Sequence, residues 1–338
     1  MNELTLASDY RSALSHFAGY GLAAILEDSG ARGVRLFWSD GAEPRFVISS
    51  LPVDVIDAAA IVRDHAAAHA TPDSWVQQTV VVRAASKATE VGLFSPRIAA
   101  PADYEAWRDL YAKRHHVQDA DRNRGWLDAL LLQSLGEPAH WLLGTDLAEP
   151  DRGASRWEMK TRNRGEDFTR NRLAKLAQTV AGRSPDEVLS GLIGDSTRDE
   201  VGKDADTSRS GTGLTQPGRV DNAIAWCALW GISWFRLTPR LGLQTFTPGA
   251  LPQDRVHPRI MALPLTTTPT SPAKLRRILR SDAFNSASFV DTESTGQAAA
   301  AEELRRAGVA GTVVFPVEVA GSSSAPERIV LSGTFSAM

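Results

Sequence analysis

The stretch LSHFAGYGLAAILEDSGARGVRLFW, Leu14 to Trp38, decides how the fold is read. Leu14, Phe17, Ala18, Leu22 and Ile25 fall at i, i+3, i+4, i+8 and i+11, the spacing of one helical face. An amphipathic helix is therefore predicted over 11–28, interrupted by Gly19 and Gly21. Val34 to Trp38 follows as a strand, and the Asp40-Gly41 pair supplies a turn into a second strand at Arg45 to Ile48. A helix running into a β-hairpin places the chain among mixed α+β folds.

Working outward, alanine-rich residues 54–70 read as a second helix, with Val55, Ile56, Ile61 and Val62 at helical spacing, and Gln78 to Arg83 as a strand. After Pro96 and Pro101, Ala102 to Ser134 is helical in pattern, split into two helices at Gln118 to Arg124. Trp107, Leu110, Tyr111, Trp126, Leu127, Leu130 and Leu131 are its expected core positions. A helix is expected from Thr169 to Ala181, and another from Ser184 to Ile193, where Ser184, Pro185 and Glu187 form a capping-box start. Gly194 to Arg219 reads as a long loop, and loops of that length are functional or disordered. Asn222 to Trp230 forms an apolar helix ending near Gly231, and Trp234 to Leu237 opens a β-rich part. Ala299 to Ala307 is a short helix before a closing hairpin of Thr312 to Val319 and Glu327 to Thr334. The expected fold is α+β, with mixed helices and antiparallel strands, and strand-containing N- and C-terminal parts around a helical middle. The corresponding regions are 1–150, 151–220 and 221–338.

At 338 residues, 43% hydrophobic and 23% charged, the chain has the composition of a globular protein with a substantial core. Its single cysteine, Cys227, excludes a disulfide framework and a cysteine-built zinc site within one chain, which suits a reducing cytoplasm. The start, MNELTLASDYRSALSHF, has no signal-peptide pattern, and no apolar run approaches the ~20 residues that span a bilayer. The expectation is a cytoplasmic protein with no membrane segment. Net charge is −3, so any site for a polyanion has to be local.

Such a concentration lies between Arg152 and Arg183, where nine basic residues stand against three acidic ones. Arginine makes bidentate forks to phosphate, and Trp157 and Phe168 are placed to stack on unpaired bases. Lys160, Arg162 and Arg164 alternate and would share a face of an extended segment, which Arg170, Arg172 and Lys175 would continue on the helix. The competing reading is a solvated helix whose arginines pair with carboxylates elsewhere. The loop SRSGTGLTQPGR, Ser208 to Arg219, adds Arg209 and Arg219 among glycines and hydroxyls, without a Walker or dinucleotide fingerprint. It reads either as a mobile nucleic-acid contact or as an ordinary connector. Lys274, Arg276, Arg277 and Arg280 form a second cluster, on a helix that keeps Leu275, Ile278 and Leu279 for the core. It suits a nucleic-acid backbone, a partner protein or a solvated face.

His65 and His69 are four apart on a helix but lack the glutamate of HExxH and a third ligand, so no metal is expected. Lys113-Arg114-His115-His116 with Asp119 and Asp121 resembles a nuclease or proton-transfer cluster without a placed nucleophile. A charged helix end is its plainer account. Cys227 between Trp226 and Trp230 reads as a buried structural thiol, and Trp226, Trp230 and Trp234 as core.

Three passages together resemble the compact large subunits of type I CRISPR surveillance (Cascade-like) complexes, particularly the short U and G subtypes. They are Leu14 to Trp38, the segment WEMKTRNRGEDFTRNRLAKL (Trp157 to Leu176), and NAIAWCALWGISWFRLTP (Asn222 to Pro239). The resemblance implies a non-catalytic subunit without cofactor or metal. Such a subunit binds the guide RNA handle, reads the motif beside the target DNA, opens the duplex and helps recruit a helicase-nuclease alongside other CRISPR subunits. In this chain Lys160, Arg162, Arg164, Arg170, Arg172 and Arg209 are the implied nucleic-acid contacts. The chain is short for a conventional large subunit, which implies that separate small subunits supply the missing bundle. The alternatives are a metal-dependent nucleic-acid-processing enzyme using His115, His116, Asp119 and Asp121, and a structural assembly protein with acidic partners.

Overall fold

The computed structural model describes residues 2–84, 87–96, 98, 103–120, 125–136, 153–158, 168–208, 213–240, 243–253, 255, 257–288, 295–322 and 325–338. In chain order the first third holds β1 (Asn2–Thr5), α1 (Ala13–Asp28), β2 (Arg35–Trp38), β3 (Phe46–Leu51), α2 (Val55–Ala70), β4 (Thr79–Ala84), β5 (Lys87–Gly92), α3 (Tyr104–Ala120) and α4 (Trp126–Leu135). The middle contains α5 (Ala174–Ala181), entered through a π-helical turn at Thr169–Leu173, and α6 (Pro185–Ile193). The last third has α7 (Asn222–Gly231), β6 (Thr238–Arg240), β7 (Leu243–Phe246), β8 (Ala250–Leu251), β9 (Ile260–Leu265), α8 (Pro272–Leu279), α9 (Asp282–Ala287), α10 (Thr295–Arg306), β10 (Gly311–Ser322), β11 (Ala325–Val330) and β12 (Thr334–Ala337). The fold is α+β with antiparallel sheets, as expected.

The axis of the fold is the crossing of α1 with α7. Every residue of α1 from Ala13 to Leu26 is buried, as is every residue of α7. A helix apolar all round belongs inside a protein rather than on its surface, so α1 is not the amphipathic element its spacing suggested. Nor do its glycines interrupt it. A Cβ on Gly21 would overlap the Cys227 carbonyl oxygen, and one on Gly231 the Phe17 carbonyl oxygen. These glycines let two helix backbones touch, which outweighs their weak helix propensity.

Besides the two-stranded β4-β5 and β6-β7, the described residues form two larger sheets, one of order β1-β3-β2 and the other β11-β10-β9-β8, with β12 also on β10. They join where Leu36 and Thr270 exchange backbone bonds of 2.9 Å and the Trp38 N–H donates to Thr266 O at 2.8 Å. The strand-containing ends of the chain therefore meet, and a single core cluster takes residues from Leu4 to Val330. The expected closing hairpin forms between β10 and β11, and β12 adds a further strand on β10. At α6 the capping box is present, with the Glu187 N–H donating to Ser184 Oγ and the Ser184 N–H to Glu187 Oε2.

After α7 a 3-10 turn spans Ile232–Trp234. Tyr20 stacks on Trp234 with ring centroids 4.7 Å apart, and Phe17 on Phe235 at 4.7 Å. The Ser134 hydroxyl at the end of α4 donates to Ser233 O at 3.1 Å. The strand expected from Trp234 thus begins only at Thr238, and the turn before it is pinned between α1 and α4. That anchorage positions the site described next.

Candidate nucleic-acid interface

α8 starts as its sequence predicts. Ser271 Oγ accepts from the Lys274 N–H at 3.3 Å, Pro272 occupies the first turn, and Leu275, Ile278 and Leu279 are buried. Their burial turns Lys274, Arg277 and Arg280 outward, where all three are exposed. Arg276 points elsewhere. Its guanidinium donates to Glu27 Oε2 at 2.8 Å, 5.6 Å from the Trp126 ring and 5.2 Å from the Trp234 ring, which makes it a fixed cation between aromatic rings.

Between α8, the 3-10 turn and β7 lies a cleft of about 630 Å³. Its lining combines Arg236, Arg276, Arg277 and Arg280 with the polar Ser233, Thr238 and Ser281. Leu130, Trp234, Phe246, Pro248 and Ala273 supply its apolar part, and no acidic residue among the described residues lines it. Among the described residues only Arg276 of these four has a carboxylate partner. The Arg280 pKa is pushed down by burial and by the charge of Arg236, which lines the same cleft. A site with clustered cations, three of them without a carboxylate partner among the described residues, suits an anion.

The basic stretch at 152–183 is organised differently. Lys160, Arg162, Arg164 and Arg209 lie outside the described residues, as do Asp121 and the acids Glu166 and Asp167. Of the remainder, Arg156 is 1% exposed and donates to Ala154 O at 2.9 Å and Thr245 O at 3.3 Å. Arg183 is 5% exposed and donates to Asp221 Oδ1 at 2.8 Å, Glu200 Oε2 at 2.6 Å and Arg198 O at 2.8 Å. Burial lowers its pKa, but these partners raise it further, and the net shift is upward. Arg170 is half-exposed and paired with Glu90 at 2.7 Å. Arg172 is 3% exposed, in the π-helical turn, and its guanidinium has no hydrogen-bond partner among the described residues. Arg170 and Lys175 face solvent while Arg172 faces inward, so the three do not continue one face. Trp157 and Phe168 are not stacking platforms. Both are buried, and the Trp157 indole N–H donates to Pro248 O at 3.0 Å.

The described part of the 194–219 loop is tied down rather than free. Leu214 is fully buried, its carbonyl accepts from the Leu14 N–H at 3.0 Å, and Arg219 reaches Asp204 at 3.0 Å. His65 and His69 belong to a packed polar node. His69 Nε2 lies 2.8 Å from Asp128 Oδ1 and Nδ1 2.7 Å from His65 O, so both ring nitrogens are occupied by acceptors. The Trp75 indole N–H and the Gly125 N–H also donate to Asp128, at 2.6 and 3.0 Å. Burial raises the Asp128 pKa, but these bonds and the neighbouring His69 more than offset it, and the carboxyl sits below its ordinary range. No group of three or more His, Cys, Asp or Glu side chains suited to a metal occurs among the described residues.

On α3, Arg114 is buried against Phe94 and donates to Leu93 O at 2.8 Å, while His115, His116 and Asp119 are exposed. Cys227 is buried, and burial raises its thiol pKa far above the ordinary value. No described helix is long and apolar enough to cross a membrane.

The α8 cluster was visible in the sequence; Arg236, Ser233, Trp234 and Phe246 as its partners were not. Arg236 is a lone arginine in an aromatic segment, and only tertiary packing brings it to Arg280. No protein-family model, curated protein or solved structure matches the chain.

Proposed function

We propose that this chain is a non-catalytic nucleic-acid-binding subunit of a CRISPR interference complex, working in the cytoplasm on guide RNA and target DNA with the other subunits and the helicase-nuclease. The arginine cleft carries this reading: Arg236, Arg277 and Arg280 line it without a carboxylate partner among the described residues, and a sugar-phosphate backbone is the polyanion that fits such a fork-bearing site. The setting comes from the three passages that resemble Cascade large subunits. Two of them, around α1 and α7, form the core crossing and speak to architecture, so the functional weight rests on the cleft. Exposed Lys175, with Lys160, Arg162, Arg164 and Arg209, supplies further backbone contacts in this proposal.

The test is a triple variant, Arg236→Ala, Arg277→Ala and Arg280→Ala, measured for affinity to RNA and DNA across a salt series. Each lost phosphate contact lowers the salt slope by roughly 0.7 to 0.9, so the triple variant should lose about 2 to 3 in slope. Equal affinity and equal slope in the variant would remove the assignment.

A further inference from the structure

We infer that Arg276 is a further phosphate contact of the arginine cleft, seated by Glu27 and two tryptophan rings so that its guanidinium is already fixed when a nucleic-acid strand arrives; this rests on the nucleic-acid reading above.

The seat comes from three elements outside α8. Glu27 near the end of α1 accepts from Arg276 Nη1 at 2.8 Å, while the rings of Trp126 at the start of α4 and Trp234 in the 3-10 turn lie 5.6 and 5.2 Å from the guanidinium carbon. Trp234 is itself immobilised, 1% exposed and stacked on Tyr20 at 4.7 Å. A purely structural ion pair would end there, but Arg276 also lines the cleft and keeps 23% of its side-chain surface exposed. A guanidinium carries more N–H donors than one carboxylate oxygen takes up. Nε and Nη2 have no partner among the described residues and remain for an anion. Arg280 stands four residues on, the spacing of neighbours along a helix, and lines the same cleft. The exposed Arg277 and Arg280 lose rotamer freedom when they grip a phosphate, whereas Arg276 is held beforehand, and such preorganisation strengthens a contact. Because Glu27 balances its charge, Arg276 adds directed hydrogen bonds to the cleft rather than net field.

The experiment is fluorescence anisotropy with the full chain across a salt series, using a single-stranded RNA and a DNA duplex as probes. Combining Glu27→Gln with Arg276→Met removes one anion and one cation together, so the local charge balance is kept, and an unbranched side chain still fills the space between the rings. The double variant should bind about tenfold more weakly than the wild type at every salt concentration, with an unchanged slope. Glu27→Gln alone keeps an oxygen acceptor for Nη1 and leaves the charge of Arg276 unshared. It should bind more tightly than the wild type and gain roughly 0.7 to 0.9 in slope. A double variant that binds both probes like the wild type, or a folded single variant with unchanged or weaker binding, would reduce Glu27 and Arg276 to a structural pair and overturn the contact. The loss of slope on removing Arg236, Arg277 and Arg280 would then still support the cleft. Wild-type protein that binds neither probe would overturn both. Thermal melts establish that each variant is folded, and the single variant, which removes no side-chain volume, carries the test if the double variant is unfolded.

Discussion

His16 gives the fold a calculable weakness to acid. It sits on α1 fully buried, its ring 4.6 Å from Trp38, 5.7 Å from Phe315 and 6.3 Å from Tyr20. Nε2 lies 2.8 Å from Tyr10 O, to which the neutral ring donates, and Nδ1 has no partner. A second proton would therefore be placed at Nδ1 with no acceptor. Burial lowers the pKa from 6.5 to about 4, against the Tyr10 carbonyl and the nearby Asp9 charge, which both favour the proton. Tyr20, the other titratable group facing the ring, is pushed upward by its own burial and stays neutral. Between those two pKa values the unfolded chain binds a proton that the folded chain refuses, so stability falls as pH drops through that window and is unaffected above it. Integrated from about pH 7.5 to about pH 5, one such histidine costs about 2 kcal/mol. Urea unfolding of the wild type and of His16→Gln at the two pH values measures it. Glutamine keeps a donor for Tyr10 O and does not titrate. The variant should lose about 2 kcal/mol less than the wild type over the same interval. His65, lowered by burial and by His69, adds a term of the same sign, and Asp28, raised by burial, an opposite one. Both are common to the two proteins and cancel in the difference. An equal pH dependence in wild type and His16→Gln would refute the reasoning.

Two further outcomes follow from packing. Gly21→Ala should cost about 3 kcal/mol or more, because its Cβ would enter the Cys227 carbonyl at a backbone contact with no side chain free to yield. Gly218→Ala, with open space around it, should leave the melting temperature unchanged, and equal melting of the two variants would show that α1 and α7 do not cross so closely. Arg172→Met should leave stability equal or raised by about 1 kcal/mol, since it removes a buried guanidinium unpaired among the described residues while keeping an unbranched side chain. It should also leave nucleic-acid affinity within about twofold, because a buried side chain offers no fork to phosphate. A fall in affinity like that of the cleft variants would return Arg172 to the contact surface.

Much of the fold was legible from local rules. The capping box at Ser184, the helix after Asp54 and the hairpin after Trp38 each rest on interactions within a few residues, and each forms where it was expected. The departures come from distant partners. Spacing cannot tell a helix with one apolar face from one buried on all sides when the other positions are Ala, Gly, Ser and His, and α1 is built of them. Strand β1, not expected from its four residues, exists because Leu4 and Thr5 find register against Ile48 and Val47 in β3. A four-residue strand carries too little pattern to be seen without its neighbour.

The site was harder to read for a related reason, which concerns what a run of arginines signifies. The excess charge at 152–183 suggested a surface track, yet three of its described members, Arg156, Arg172 and Arg183, are buried, and two of these bind chain atoms up to 89 residues away. Charge density along a sequence counts such structural guanidinium groups together with free ones. The α8 cluster is the better guide because its amphipathic spacing obliges Leu275, Ile278 and Leu279 inward and therefore frees Arg277 and Arg280. Even there Arg276 is diverted to Glu27. What raises this helix from a solvated face to a candidate site is Arg236, brought to the same cleft as Arg280 by the aromatic anchorage of the turn after α7. Arginines gathered in one cleft with no lining carboxylate among the described residues favour an anion there. That arrangement, absent from any local pattern, is the physical reason to look for a ligand at this place.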